Sequence, residues 1–456
     1  MLAALLSLAC AVLCAGAAAQ ESDPAGDPAG GQGGDLDGDR EAEPRLPVEG
    51  TLATGYRGRW SDGSDDHDLR ATLALDVGDE RARGFTGYVL GRFSYDLDGR
   101  PESDGAYSFF SLSDTYDHRL VGVLHAAYVD SHHFESLAIL RLGRQSLYAT
   151  PEFAWFDGLQ IATRPSSTGA RQLGVYAGVP VHLYESSPAG DSIAGAWFSS
   201  ELWPGSRARA DWMHIDDDQR FAEHQDDLLG LDLSQELGAH ARLEGEYTRV
   251  EETDRDVRGS ASWIDPASSF MVRVSHYRLL ETQRALVLEL DPFFPTLFEH
   301  FPFHQTQLLA SKGFGQRLDV ELGIDVRRVV DARDVGESNR DFERSHLTAT
   351  FADLLPGGWT LGLTGEAWDG GQSDIRTWGF DLRRDVGERV ALSGGSYYSL
   401  FKYDLISDVE HDHVRTYFAS VRYQPSAALR FELRYELEHD DFDSYHDLRI
   451  GTTWSF

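Results

Sequence analysis

The sequence predicts an all-β fold: one transmembrane, antiparallel, up-and-down β-barrel of about 22 strands, within a range of about 20–24. Three observations carry that prediction. From about residue 50 onward apolar and polar residues alternate with a period of two, clearest where Leu429, Phe431, Leu433, Tyr435 and Leu437 oppose Arg430, Glu432, Arg434 and Glu436. No run of about 18 apolar residues follows the N-terminal segment, so helical membrane spans are excluded while a barrel is not. The final stretch, residues 445–456, puts Leu448, Ile450, Thr452, Trp454 and Phe456 on one face and finishes on an aromatic, where a soluble chain would fray.

In chain order, residues 1–19 are Ala/Leu-rich and end in Ala17-Ala18-Ala19, the pattern of a signal peptide cleaved before Gln20. Both cysteines of the chain, Cys10 and Cys14, lie in this segment, so the mature protein is expected to have no disulfide or thiolate metal site. Residues 20–47 are Asp, Gly, Pro and Ala with hardly a large apolar side chain, a disordered acidic lead-in. Asp35-Leu36-Asp37-Gly38-Asp39 has the look of a calcium loop. Its Gly comes early and Leu46 stands where a bidentate carboxylate belongs, so no calcium site is expected. Residues 48–456 form the barrel.

Strands are expected at about 50–60, 67–77, 84–97, 118–129, 134–146, 154–163, 172–184, 191–203, 206–215, 226–236 and 239–251, and then at about 255–265, 268–280, 304–312, 317–328, 342–354, 358–369, 373–385, 388–402, 412–424, 427–439 and 443–456. Compact links such as Trp203-Pro204-Gly205 and Pro425-Ser426 alternate with longer acidic ones at 98–117, 216–225, 281–303, 329–341 and 403–411. Slipping the strand at 429–437 by one residue would put arginines into hydrocarbon at roughly 2–4 kcal/mol each, so the register is fixed. Trp60, Trp197, Trp203, Trp263, Trp359 and Trp378 fall near strand ends or outward positions, as interfacial girdles require.

A formal net charge of −34 argues against nucleic acid as a partner. Acidic runs such as Asp65-Asp66, Asp216-Asp217-Asp218 and Asp440-Asp441 read as a solvated rim, or as loops that divalent cations bridge to an anionic surface. The pair Glu410-His411-Asp412-His413 and Glu438-His439-Asp440-Asp441 has no fixed metal-binding frame, and no metal or other cofactor is expected. There is no G-x-S-x-G elbow and no phosphate loop, so no residue is assigned as catalytic and a hydrolase at the rim is the least favoured reading.

A lumen this wide needs narrowing. The candidate is the connection 282–304, where Phe293, Phe294, Phe298, Phe301 and Phe303 sit among prolines and would be poorly placed in water. Inward-facing Arg141, Arg242, Arg273, Arg317, Arg383, Arg430 and Arg434 form either an anion-passing ladder or cross-strand ion-pair partners of Glu244, Glu246, Asp319, Glu321, Glu432 and Glu436; the sequence leaves both readings open.

The terminal aromatics Trp454 and Phe456 resemble the C-terminal signature of bacterial outer-membrane barrels, which implies an outer-membrane location and recognition by the barrel-assembly machinery. Leu140-Arg141-Leu142-Gly143-Arg144-Gln145, followed by Phe156-Asp157-Gly158-Leu159, resembles the G-R-Q and F-D-G motifs of alginate-export-type porin-like barrels. That resemblance implies a porin-like conduit for hydrophilic solutes, anions or polysaccharide, with Arg141, Arg144, Gln145 and Asp157 on the pore wall and lipid with lipopolysaccharide around it. Arg144 has the opposite parity to Arg141, so both face inward only if a bulge intervenes. The alternative class is a channel-less barrel that anchors a surface structure.

Overall fold

The computed structural model describes residues 47–61, 65–79, 84–99, 119–148, 151–182, 190–219, 222–282, 301–335, 341–370, 374–404, 409–440 and 443–456. Alternation makes them strands: β1 Val48–Trp60, β2 Asp65–Val77, β3 Phe85–Asp96, β4 Leu120–Ser131, β5 Leu137–Leu147, β6 Ala154–Thr163, β7 Gln172–Pro180, β8 Ser192–Ser200, β9 Ser206–Gln219, β10 Ala222–Leu237 and β11 Ala241–Val250. The second half continues with β12 Thr253–Asp265, β13 Phe270–Leu279, β14 Phe303–Phe314, β15 Leu318–Val329, β16 Phe342–Leu355, β17 Trp359–Asp369, β18 Asp374–Val386, β19 Val390–Asp404, β20 Val409–Ser426, β21 Leu429–His439 and β22 Ser444–Ser455. Each strand pairs antiparallel with the next. Ten residues of β22 pair with β1, from Thr51 opposite Ser455 to Trp60 opposite His446, so the 22-stranded sheet has no free edge.

Both ends of the barrel are distinct. The near end carries the first and last strand termini and short links, down to residues 427–428 between β20 and β21. The far end carries the long ones, 97–119 and 280–302. In membrane barrels the short turns are periplasmic and the long loops extracellular. Two acidic stretches expected in far-end loops lie instead in strands: Asp216-Asp217-Asp218 belongs to β9, opposite Gln225, His224 and Glu223 of β10, and Glu410-His411-Asp412-His413 belongs to β20. Backbone pairing continues past the apolar band because a hairpin in water satisfies its backbone groups whatever its side chains are.

The two faces follow parity. Leu173, Val175 and Val179 of β7, Leu231 and Leu233 of β10, Leu322 and Ile324 of β15 and Leu433 of β21 all point outward and are exposed. Such a continuous apolar exterior exceeds what water tolerates and is what a bilayer solvates. Rings gather at its margins: Trp60 stacks on His446 with centroids 5.2 Å apart, and Arg415 lies 4.1 Å from the centre of Trp378.

Candidate functional site

The inner wall has two contrasting parts. One is the seam, where β20 to β22 meet β1 to β3. Pairing sets Arg434 opposite Arg449 and Arg449 opposite Arg57, three guanidiniums abreast on adjacent strands. Leu433, Ile450 and Tyr56 alternate with them on the outside, which fixes the arginines inward. One rung toward the far end stand Glu436, Asp447, Arg59 and Asp66; one rung toward the near end stand Glu432, Gly451, Gly55 and Arg70.

Carboxylates hold the arginines in place. Arg434 Nη2 lies 2.5 Å from Glu436 Oε1, Arg57 Nη2 lies 2.6 Å from Asp447 Oδ2, and Arg449 Nη2 is 2.8 Å from the same oxygen and 3.5 Å from Glu436 Oε2. Two carboxylates thus serve three guanidiniums, and the Arg449 side chain stays 48% exposed to the lumen. Arg70 and Arg92, further down the same wall, make no ion pair among the described residues.

The other part runs from β5 to β12, and its far half is dry. Leu147, Ala154, Phe156, Tyr176, Ile193, Met213, Ile215 and Leu228 all point inward and pack into one buried cluster, with Phe156 at 0% exposure and Val250 against it. A glycine row makes room for this. Gly143, Gly158 and Gly178 are cross-strand neighbours, and a Cβ on Gly158 would stand 2.1 Å from the Ala177 carbonyl oxygen, so these backbones approach as only glycine allows.

A strap closes the dry side. Pro151 and Glu152, just before β6, are reached by Arg255 from the far end of β12. Arg255 sits where the β11 and β12 register slips, a bulge that turns its side chain inward beside Asp256. Its guanidinium donates to Glu152 Oε2 at 2.6 Å, to the Pro151 carbonyl at 2.9 Å, to Asp256 Oδ2 at 2.6 Å and to Thr248 Oγ1 at 3.0 Å. The connection expected to narrow the mouth was 282–304. Of its phenylalanines, Phe293, Phe294 and Phe298 lie outside the described residues. Phe301 is half-buried, and Phe303 opens β14, buried against the wall with Arg327 3.8 Å from its ring centre and Tyr277 at 5.5 Å.

The remaining candidate residues fall into three groups. Arg242, Glu244, Arg383, Arg430, Glu432, Arg434, Asp319 and Glu321 are on the lumen side, Arg242 paired with Glu244 at 2.9 Å and Arg383 with Asp381 at 2.7 Å. Arg141 also faces inward, bidentate to Asp130 and 3.6 Å from the centre of the Tyr128 ring. Arg317 lies in the exposed turn before β15, not on the wall.

Arg144, Gln145 and Asp157 do not line the pore, as their expected wall positions would have it. The two motifs are partners: Gly143 faces Gly158, Arg144 faces Asp157 and Gln145 faces Phe156. Arg144 and Asp157 share parity with the 64% exposed Leu142 and with Leu159, so this pair lies on the outer face, held by two bonds of 2.8 and 2.7 Å. Arg144 adds a bond to the Leu124 carbonyl. Gln145 points inward but is 1% exposed, donating to the carbonyls of Gly143 and Gly158 under Phe156. The motifs staple a tight corner of the sheet rather than line the pore.

No family model and no curated protein matches the sequence. Among solved structures, the siderophore receptor PirA from Pseudomonas aeruginosa aligns with a TM-score of 0.54 at 12% identity, over 90% of this chain and 80% of that one. The chain is an outer-membrane-type barrel. OccK9 (OpdG) and OccK2 (OpdF) of the same organism align over 90% of this chain and 98% of theirs, with TM-scores of 0.44 and 0.42 and identities of 14% and 12%. At such identities the likeness is one of fold.

Proposed function

We propose that the protein is an outer-membrane channel through which hydrophilic solutes, anions among them, diffuse along the seam wall, without cofactor or covalent chemistry. The observation that supports this best is the inward row Arg434, Arg449 and Arg57, three guanidiniums whose direct ion-pair partners are the two carboxylates Glu436 and Asp447, followed down the wall by Arg70 and Arg92. A hydrated lumen lined by fixed cations lowers the cost of passing an anion and raises that of a cation. The dry β5–β12 sector narrows the far mouth toward the seam. The surroundings are outer-membrane lipid with lipopolysaccharide, and the strand ending in Phe456 is the element presented to the barrel-assembly machinery.

Single-channel recording in planar bilayers tests the reading. The protein is expected to give discrete conductance steps with anion preference under a salt gradient. Replacing Arg57 and Arg449 with glutamate is expected to reverse that preference. A specific observation favours a second reading, a channel-less anchoring barrel: the packed apolar filling and the Arg255 strap close part of the far end. Absence of conductance in folded protein, before and after deletion of residues 283–300, would favour that second reading.

A further inference from the structure

On the outer wall, the far-end boundary of the apolar band is unusual at β13 to β15. Val274, Leu308 and Ile324 form its last wholly apolar rung. The next rung holds His276, Thr306 and Val326, with His276 Nδ1 2.9 Å from Thr306 Oγ1. Beyond it Arg278, His304 and Arg328 stand abreast on three adjacent strands, and the His276 and His304 rings are 5.7 Å apart. All of these share parity with the exposed Val274 and Ile324, so they point away from the lumen.

Several outward side chains elsewhere on this margin have partners within the barrel: Arg144 on Asp157, His214 on Asp227 at 3.0 Å, and Arg415 on the Trp378 ring. Arg328 has one acidic partner, Glu343, and gives its other nitrogen to the carbonyls of Arg327 and Phe342. Arg278 is exposed and makes no ion pair among the described residues. A cation at the edge of hydrocarbon, facing outward, meets lipid headgroups and nothing else of comparable charge. Strands about 4.8 Å apart put Arg278 and Arg328 roughly 10 Å from each other with the His304 ring between, a span that lets two guanidiniums bracket one phosphate. In a chain of net charge −34 this patch is where an anionic lipid would be drawn.

From this arrangement we infer that the outer face of β13–β15 binds a phosphate group of the outer-leaflet glycolipid, with Arg278 as the principal contact, His304 a neutral donor and Arg328 a second cation. The site rests on the outer-membrane placement and not on the channel reading, so loss of conductance and loss of lipid retention fail independently.

The test is native mass spectrometry of the detergent-extracted mature protein titrated with diphosphorylated lipid A, and in parallel with its fully dephosphorylated form. Wild-type protein is expected to retain the diphosphorylated lipid on the order of tenfold more tightly than the dephosphorylated one, a comparison that needs no variant. R278A/R328A, checked for heat-modifiable gel migration as a sign of folding, is expected to lose that preference, and R278K/R328K to keep part of it because Lys retains charge without the bidentate geometry. Lys312→Ala, which removes an outward cation near the opposite end of β14, is expected to change nothing. Equal retention of the two lipids by wild type, or a preference unchanged in the folded alanine variant, would overturn the site.

Discussion

The seam wall and the β5–β12 sector are built from the same alternating strands, yet one keeps its inner face charged and wet while the other is packed dry. The difference lies in what stands at inward positions. At the seam Arg57, Arg434 and Arg449 keep to the lumen and neutralise one another's repulsion through Glu436 and Asp447. In the dry sector glycines let neighbouring backbones close up, and Phe156, Ile193, Met213 and Leu228 then find enough apolar surface to exclude water. One face of the barrel therefore packs against itself from inside while the other keeps charged groups toward the lumen, where the proposed solute path runs. The two sectors should respond to substitution in opposite ways.

The largest expected effect is in the dry sector. Phe156→Ala removes a fully buried ring and is expected to cost about 3–5 kcal/mol, read as a lower denaturant midpoint in urea-driven unfolding from bilayers. Next comes the strap. Arg255→Ala strands Glu152 and Asp256, and about 3 kcal/mol is expected to be lost together with a larger conductance, because Pro151 and Glu152 are released from β12. Smallest in stability is the seam. Arg449→Gln is expected to shift the unfolding midpoint by less than about 1 kcal/mol, since its ion pairs are half-exposed, while measurably reducing anion preference in reversal-potential recordings. A seam variant that unfolds the barrel, or a Phe156 variant that changes only selectivity, would break the comparison.

The fold was legible because a barrel in lipid writes its inside and outside directly into alternate residues. The number of strands, their order and the near-end turns all follow from that code, and Leu429 to Leu437 is read from it without ambiguity. Where the strands outrun the membrane, as at Asp216-Asp217-Asp218, side-chain character stops reporting on backbone pairing and the ends were misplaced. The inner site was legible only in part. Arg430 and Arg434 are found by parity, but their neighbours Arg449 and Arg57 come from opposite ends of the chain and meet only through closure of the sheet.

The motif at 143–145 and 156–158 carried a signal of another kind. Read antiparallel, it already sets Gly against Gly, Arg against Asp and Gln against Phe, a self-complementary corner rather than a ligand site. The strap left a fainter trace: Asp254-Arg255-Asp256 interrupts alternation, which marks a bulge, although nothing in the sequence says that Glu152 lies across from it.

The most direct test of the account uses the cysteines. Outside residues 1–19 the sequence has none, so a single introduced thiol reports on one position. With Arg449→Cys and Ile193→Cys barrels in planar bilayers, a bulky water-soluble thiol reagent is expected to reduce single-channel current at position 449 and to leave position 193 unmodified. Rapid modification at 193 with none at 449 would contradict the placement of the solute path along the seam.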